Sequence, residues 1–389
     1  MSSLRGFVVK TREQKMFEQF KQWYENRHDY ARQWKAGSGG KVMGCFCSYA
    51  PEEILVAAGW LPARILGSHE PQDVTERHIF GMFCPFCRDV LAQGLKGRYE
   101  YLDGILLVQS CIHLRQSYMS WKMHAPAPFE HYIYMPMKVQ TPHALPYHRS
   151  ELAKFRKALE AFDGKSITDD ELDRGIAVVN ENRALMRQVY EFRKSPDPKL
   201  TGREAMWMTV SSMWVDKQEH SAEVKRVLEQ LPNRELKREG TARLMLIGSE
   251  NDDIPFIELV ESLGATVVQD DHCTGTRYFW NLVEPREDRM TAIAERYIRR
   301  PACPAKDWEK RTRFDHILEL ARDQDVTGAI IIQQKFCDPH ECDMPPLRKF
   351  LDKNGIPNLM LEFDATTPLG QFRIRVEAFL EMIAAEDLF

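Results

Sequence analysis

The chain has no stretch approaching the roughly 18 uninterrupted apolar residues that a membrane-spanning helix needs. Its opening residues, MSSLRGFVVKTREQK, carry no apolar leader run. Both absences point to a cytoplasmic protein with no membrane partner. A strong charge of either sign is missing too: 53 basic against 57 acidic side chains leave a net charge of −4 over 389 residues. Nucleic acid is therefore not an expected partner. Nucleotide signatures are equally lacking. DGKS at 163–166 ends like a phosphate loop, but Leu159 stands where its first glycine must be. GSGGKV at 37–42 follows no strand and lacks the third glycine of a dinucleotide fingerprint. No ATP or NAD site is expected here, and any energy input must come from another polypeptide.

Cysteine, by contrast, is abundant. Six of the nine cysteines form three close pairs, Cys45/Cys47, Cys84/Cys87 and Cys337/Cys342, and a seventh, Cys111, directly follows a strand-like run. In a reducing compartment such groups are more often ligands or catalysts than disulfides, and an odd total cannot be fully paired. Thiolates are soft ligands, which makes a soft-metal site, foremost an iron-sulfur cluster, the leading reading. Structural zinc is an alternative; CPFC at 84–87 fits one zinc knuckle, while the cysteines of CDPHEC at 337–342 are five positions apart and the span from Cys45 to Cys337, 292 positions, crosses domains. A thioredoxin-type redox pair at Cys84/Cys87 would need a preceding strand, and ERHIFGMF is a poor one. Cys273 follows a strand-like segment without a partner, as pocket wall or core, and Cys303 between Pro301 and Pro304 reads as a loop residue.

The length suggests two or three domains. Met16, Phe17, Phe20, Trp23, Tyr24 and Trp34 recur at helical spacing and predict one amphipathic helix over 11–35, closed by the GSGG break. PEEILVAAG (51–59) reads as a helix with proline at its start, acidic residues in its first turn and glycine at its stop. A short helix after Cys84 and the buried strand GILLVQS (104–110) follow. Residues 151–238 are charged and helical in character. Beyond them, strands at 242–248, 265–271, 328–334 and 358–364 alternate with helices at 254–264, around 290–322, at 345–355 and from about 371. The pattern gives an α/β fold of two doubly wound parallel-sheet, flavodoxin/Rossmann-like domains with helical N-terminal and linking segments. The expected division is 1–40, 41–150, 151–238 and 239–389. Ligands of such sheets bind beyond the carboxyl ends of the strands, where Cys111 and Cys337 both fall.

GCFCSYAPEEILVAAGWLPARILG, FCPFCRDVLAQGLKGRYEYLDGILLVQSCIHLR, IGSENDDIPFIELVESLGATVVQDDHCTGTR and QQKFCDPHECDMPPLRKFLDKNGIPNLMLEFD resemble successive blocks of the 2-hydroxyacyl-CoA dehydratase and benzoyl-CoA reductase family, from about Lys41 to the C-terminus. Their wording is most similar to the smaller cluster-binding C subunits of the ATP-dependent (class I) reductases. The resemblance implies a homologous sister subunit of the same fold, and an ATP-hydrolysing activator with its own [4Fe-4S] cluster that passes single electrons to the pair. It also implies an aromatic acyl-CoA substrate, reduced by two electrons to a cyclic dienoyl-CoA. The alternatives are radical dehydration of a 2-hydroxyacyl-CoA, or a non-catalytic electron-transfer role.

Carried over by position, Cys84, Cys111 and Cys337 match the family's cluster cysteines, with Cys47 as a further candidate. The doubled cysteines depart from the simplest pattern and suggest six ligands, Cys47, Cys84, Cys87, Cys111, Cys337 and Cys342, for a double-cubane [8Fe-9S] cluster; one [4Fe-4S] with spare thiols is the other possibility. Ser48 and Ser110 could hydrogen-bond cluster sulfur. His113, His124, His131, His143, His148, His272 and His340 are available as acids, with none singled out, and Arg64, Arg115 and Arg277 are candidate contacts for CoA phosphates.

Overall fold

The computed structural model describes residues 15–194, 196–236, 240, 242–365 and 367–386. Helices α1 (Glu18–Glu25) and α2 (Arg27–Ser38) precede the first sheet. It is built from β1 (Lys41–Cys45), α3 (Glu52–Ala57), β2 (Trp60–Arg64), α4 (Pro85–Leu95), β3 (Gly104–Val108), α5 (Ile112–His124) and β4 (Phe129–Ile133). Four helices follow: α6 (Ala144–Asp163), α7 (Asp169–Glu191), α8 (Gly202–Ser212) and α9 (Lys217–Gln230). The second sheet region comprises β5 (Arg243–Gly248), α10 (Ile254–Ser262), β6 (Thr266–Asp271), α11 (Thr276–Phe279), α12 (Arg289–Arg299), α13 (Thr312–Asp323), β7 (Gly328–Gln334), α14 (Asp338–Lys353), β8 (Asn358–Phe363) and α15 (Leu369–Glu386).

Both sheets have four strands, all parallel, in the same spatial order: β2-β1-β3-β4 and β6-β5-β7-β8. Parallel strands covered on both faces read as continuous aliphatic runs, and GILLV and GAIII do. In β5 the pleat divides the side chains: Leu244 and Leu246 join the large core that runs through most of the molecule, while Met245 and Ile247 join a smaller core under α13 and α14. The expected α/β class with two doubly wound parallel sheets is what forms.

The intervening helices bind both sheet regions. Thr168 with Glu171 and Thr201 with Glu204 form capping boxes that start α7 and α8. On α7, Gly175 lies so close to α3 that a Cβ there would collide with the Glu53 carbonyl oxygen. The same helix carries Arg183, whose guanidinium pairs with the fully buried Glu53 carboxylate. A few residues past its end, Arg193 Nη2 donates to the Val267 carbonyl of β6, at 2.6 Å.

Three expectations are corrected. The helix over 11–35 is two helices where described, because Asn26, at φ −110° and ψ 31°, leaves helical geometry, and its side-chain amide donates to the Gln22 carbonyl at 3.1 Å. Residues 11–14 lie outside the described residues. The helix around 290–322 is split into α12 and α13 by a loop containing Pro301 and Pro304, which lack the N–H that would continue it. The helix expected from Pro345 starts at Asp338, since Pro339 and the acidic Asp338 and Glu341 favour a first turn there. Pro345 and Pro346 then fall inside α14. Strands β1, β2 and β4 were not anticipated.

Candidate functional site

In each sheet the order reverses between its two central strands, and the loops leaving them diverge to open a crevice. Cys47 lies two residues beyond β1 and Cys111 three beyond β3; Glu250 lies two beyond β5 and Cys337 three beyond β7. The two crevices share one cavity. Seven of the nine cysteines line it: Cys47, Cys84, Cys87, Cys111, Cys273, Cys303 and Cys337. All nine are free thiols.

Local sequence explains how four of them meet. Cys84, Cys111 and Cys337 each occupy the N-cap of a helix, α4, α5 and α14 respectively. Pro85 starts α4 directly after Cys84. The Leu114 N–H donates to Cys111 Sγ at 3.4 Å. Phe336, just before Cys337, has a left-handed φ of 60°, a strained conformation for a bulky residue, and its N–H donates to Glu341 Oε1 at 2.9 Å. Three helix N-termini thus point their positive ends at one volume, an arrangement that favours thiolate over thiol. The Cys84 thiol is close enough to those of Cys337 and Cys87 to act on them, and Cys87 stands in the same relation to Cys111. These contacts split the titrations. Cys337 and Cys87 hold Cys84 well below the usual thiol value, and Cys87 lowers Cys111. In return Cys111 and Cys84 raise Cys87, and Cys84 raises Cys337.

Charge is arranged around this sulfur. Arg64 at the end of β2 is buried, pairs with the Glu250 carboxylate of the second sheet region, and donates from Nη1 to the Cys45 carbonyl at 3.1 Å. Burial pushes Glu250 up and its Oε2 has no hydrogen-bond partner. The guanidinium of Arg64 lies 5.5 Å from the Phe86 ring, which forms part of the cavity wall. His113 ties the two regions together: the Cys84 N–H donates to its Nδ1 at 3.1 Å, and its Nε2 stands 3.4 Å from Asp338 Oδ2. Two further polar atoms at the wall, Ser110 Oγ and His340 Nε2, are buried without partners.

Among the described residues no group of three or more His, Cys, Asp or Glu has the arrangement that one metal ion requires. An iron-sulfur cubane places a different demand on its ligands. Each thiolate binds a separate iron, so the sulfurs must surround a volume rather than converge on a point. The cavity between these walls has a volume of about 60 Å³, several times the roughly 10–15 Å³ that one water requires. Four thiols lining one cavity, three helix N-termini and orphaned hydrogen-bonding groups at the wall fit such a group.

The cavity gathers five of the six cysteines expected as ligands and leaves one out. Cys342 is exposed on α14 and does not line the cavity. Five positions along a helix from Cys337, it is rotated by roughly 140° about the axis, whereas the three positions from Cys84 to Cys87 leave only about 60°. Cys45 is buried away from the cavity, its thiol donating to the Met43 carbonyl at 3.6 Å. Cys273 and Cys303, not among the ligands expected from the sequence, are in the wall. Of the histidines, His113 and His340 line the cavity, and His272 is buried with both ring nitrogens unpartnered; His124, His131, His143 and His148 are not part of the wall. Arg64 and Arg277 are buried and engaged with backbone carbonyls, which removes them as contacts for solvated CoA phosphates; Arg115 is exposed.

Fold and site together define a class: a two-sheet α/β protein whose paired strand-end crevices enclose one thiol-lined cavity. The chain belongs to the family described as 2-hydroxyglutaryl-CoA dehydratase, D-component, which matches residues 47–383. It is similar to the (R)-phenyllactyl-CoA dehydratase beta subunit of Clostridium sporogenes, 26% identical over 374 residues covering 95% of this chain and 99% of that one. It is also similar to the C subunit of benzoyl-CoA reductase from Thauera aromatica, 27% identical over 340 residues, 86% of this chain and 88% of that one. The beta subunit of (R)-2-hydroxyglutaryl-CoA dehydratase from Acidaminococcus fermentans is 23% identical over 355 residues, 89% and 93% of the two chains. All three relatives are named as subunits of larger enzymes. Among the described residues no helix is long and apolar enough to cross a membrane.

Proposed function

We propose that this chain is the iron-sulfur subunit of an ATP-dependent benzoyl-CoA reductase, working with a sister subunit of the same fold and fed by an ATP-hydrolysing activator. In this reading Cys84, Cys87, Cys111 and Cys337, with Cys47, hold the cluster, as a [4Fe-4S] or a double-cubane [8Fe-9S] group. When bound, the cluster supplies stored low-potential electrons to an aromatic acyl-CoA. The chain's own residues do the rest. The three helix N-termini stabilise thiolate ligands, Phe86 and Leu114 keep part of the wall apolar, and Ser110 Oγ is free to donate a hydrogen bond into the site. Arg64 with Glu250, and His113 with Asp338, hold the two sheet regions in register around it.

The observation that carries the reading is the excess of sulfur: seven cavity thiols exceed the four irons a single cubane offers. A larger electron store suits a two-electron ring reduction better than a dehydration that recycles one electron. Dehydration of a 2-hydroxyacyl-CoA is the second reading, favoured by the match to the phenyllactyl-CoA dehydratase beta subunit along 95% of this chain. The test is an anaerobic assay of the complex, co-expressed with its sister and activator, on benzoyl-CoA and on a 2-hydroxyacyl-CoA with ATP. Formation of a cyclic dienoyl-CoA from benzoyl-CoA is expected; turnover of the hydroxyacyl thioester alone would replace this reading with the second.

A further inference from the structure

A second, polar pocket adjoins the thiol-lined cavity at the seam between the two sheet regions. Its wall takes His69 and Gln72 from the loop after β2, Asp89 from α4, Asn251 and Asp252 from the loop after β5, and Asp364 from beyond β8. Phe86 and Glu250 belong to the walls of both spaces. Glu250 is therefore the polar side chain that the two have in common. The pocket has a volume of about 30 Å³, room for about two water molecules. Water needs polar partners as well as space, and the wall supplies them: Gln72 Oε1, Asn251 Nδ2 and Glu250 Oε2 are buried with no hydrogen-bond partner among the described residues. Gln72 and Asn251 are themselves only 8% and 3% exposed. A buried donor and two buried acceptors left unpaired are costly, and bridging water removes that cost. At the outer end the half-exposed His69 stands 3.0 Å from Asp252 Oδ1.

The other carboxylates of this wall are engaged. Asp89 accepts the Ser68 and His69 N–H groups, at 2.9 and 2.8 Å, and the Gln93 amide. Asp253 accepts the Phe256 N–H and the Thr367 hydroxyl, and Asp364 accepts from Arg88 and Lys335. Glu250 pairs through Oε1 with Arg64 and keeps Oε2 for the shared space. The charges acting on it are Arg64 from β2, Arg277 from α11 and Asp252 on its own loop; on the cavity side it acts on Cys273. Burial outweighs the two cations and holds its carboxyl above the ordinary range, so a proton binds there more readily than on a solvated carboxylate.

We propose that the seam pocket is a proton-entry path, and that Glu250, at its inner end, takes up a proton from it when negative charge is added to the cavity. One electron entering the cavity is matched by one proton from solvent, which passes His69 and Asp252 and crosses water held by Gln72 and Asn251. The bond formed is the O–H on Glu250 Oε2. Adding two hydrogens to a ring takes two electrons and two protons, and this path supplies the protons as the activator supplies the electrons. It rests on the reading that the cavity holds a redox-active metal group, and adds to that reading a proton route and the residue that ends it.

The test uses the full-length chain reconstituted anaerobically with ferrous iron and sulfide. The midpoint potential of the wild type should fall as pH rises through the neutral range, by up to about 59 mV for each tenfold drop in proton concentration. Glu250→Gln, which keeps an oxygen for Arg64, should bind the same iron and sulfide and give a flat profile. A flat wild-type profile, or a Glu250→Gln protein with the wild-type slope, would overturn the proposal. Infrared difference spectra of the wild type, reduced minus oxidised, ask the same question without a variant: a protonated-carboxyl band that shifts in D₂O is expected, and its absence counts against Glu250. Gln72→Met removes one polar partner from the pocket; it should keep the slope but slow proton uptake severalfold after a pulse of reductant, and an unchanged rate would strike out the path. A wild type that binds no iron and sulfide would remove the parent reading instead.

Discussion

The two sheets share strand order, direction and the position of their crevices, yet they use the equivalent sites differently. Three residues past the third strand of each stands a cysteine at a helix N-cap, Cys111 in one and Cys337 in the other. Two residues past the first strand of each, the first sheet offers Cys47 and the second offers Glu250. Glu250 lines the cavity too, but one of its oxygens pairs with Arg64 across the boundary. The fold therefore fixes where a functional side chain can be placed, and the residue at that place decides whether it binds a group or joins the two halves. Further thiols come from the excursion between second and third strands in both, Cys84 and Cys87 in the first, Cys273 and Cys303 in the second.

The largest effect should come from breaking the symmetric pair of N-cap thiols. Cys111→Ser and Cys337→Ser are each expected to lose most of the bound iron and to lower turnover of the assembled complex tenfold or more, a loss at least matching that seen when outer-shell partners of metal ligands are removed. Unequal losses would show that one sheet dominates the site. Arg64→Ala comes next: it leaves Glu250 buried without its cation and should cost about 3–5 kcal/mol in the denaturant unfolding of the apo chain.

Gly175→Ala probes how the helical layer clamps the first sheet region through α3. Its added methyl meets the Glu53 carbonyl, and overpacking of this kind costs about 1–3 kcal/mol. Smallest is the His69 to Asp252 contact between the two regions, with Nε2 and Oδ1 3.0 Å apart. Asp252 raises His69 to about 9. A folded value above the unfolded one, about 6.5, means that the contact stabilises fully below that pH and is lost as pH rises through about 9. Because His69 is half exposed, less than about 1 kcal/mol is at stake. His69→Gln should flatten the unfolding midpoint between pH 6.5 and 9, whatever constant offset the substitution adds.

Much of this was readable from residues. The runs ARLMLIG, GAIIIQQ and NLMLEFD gave strands within a residue or two of β5, β7 and β8 because buried parallel strands are nearly pure aliphatic sequence. WLPAR and FEHYI, which form β2 and β4, carry proline, charge or histidine, and only pairing with a neighbour makes them strands. The cavity position of Cys273 follows from the same strand-end rule that located Cys111 and Cys337. Cys303 gave no local sign, since a fold-back onto Tyr49 more than 250 positions away brings it to the wall. Cys342 is a neighbour of Cys337 in sequence, but helical rotation separates the two on α14, a turn-by-turn geometry that pairing in the sequence does not convey.

The central claim is that thiols from both sheet regions hold one metal group. It is tested most directly by counting iron and sulfide in the anaerobically purified chain with and without the second region's N-cap cysteine. The account predicts that Cys337→Ser, although its four other expected ligands all lie in the first region, loses most of the metal and the wild-type Mössbauer signature. A Cys337→Ser protein that keeps the full complement and the same spectrum would contradict it.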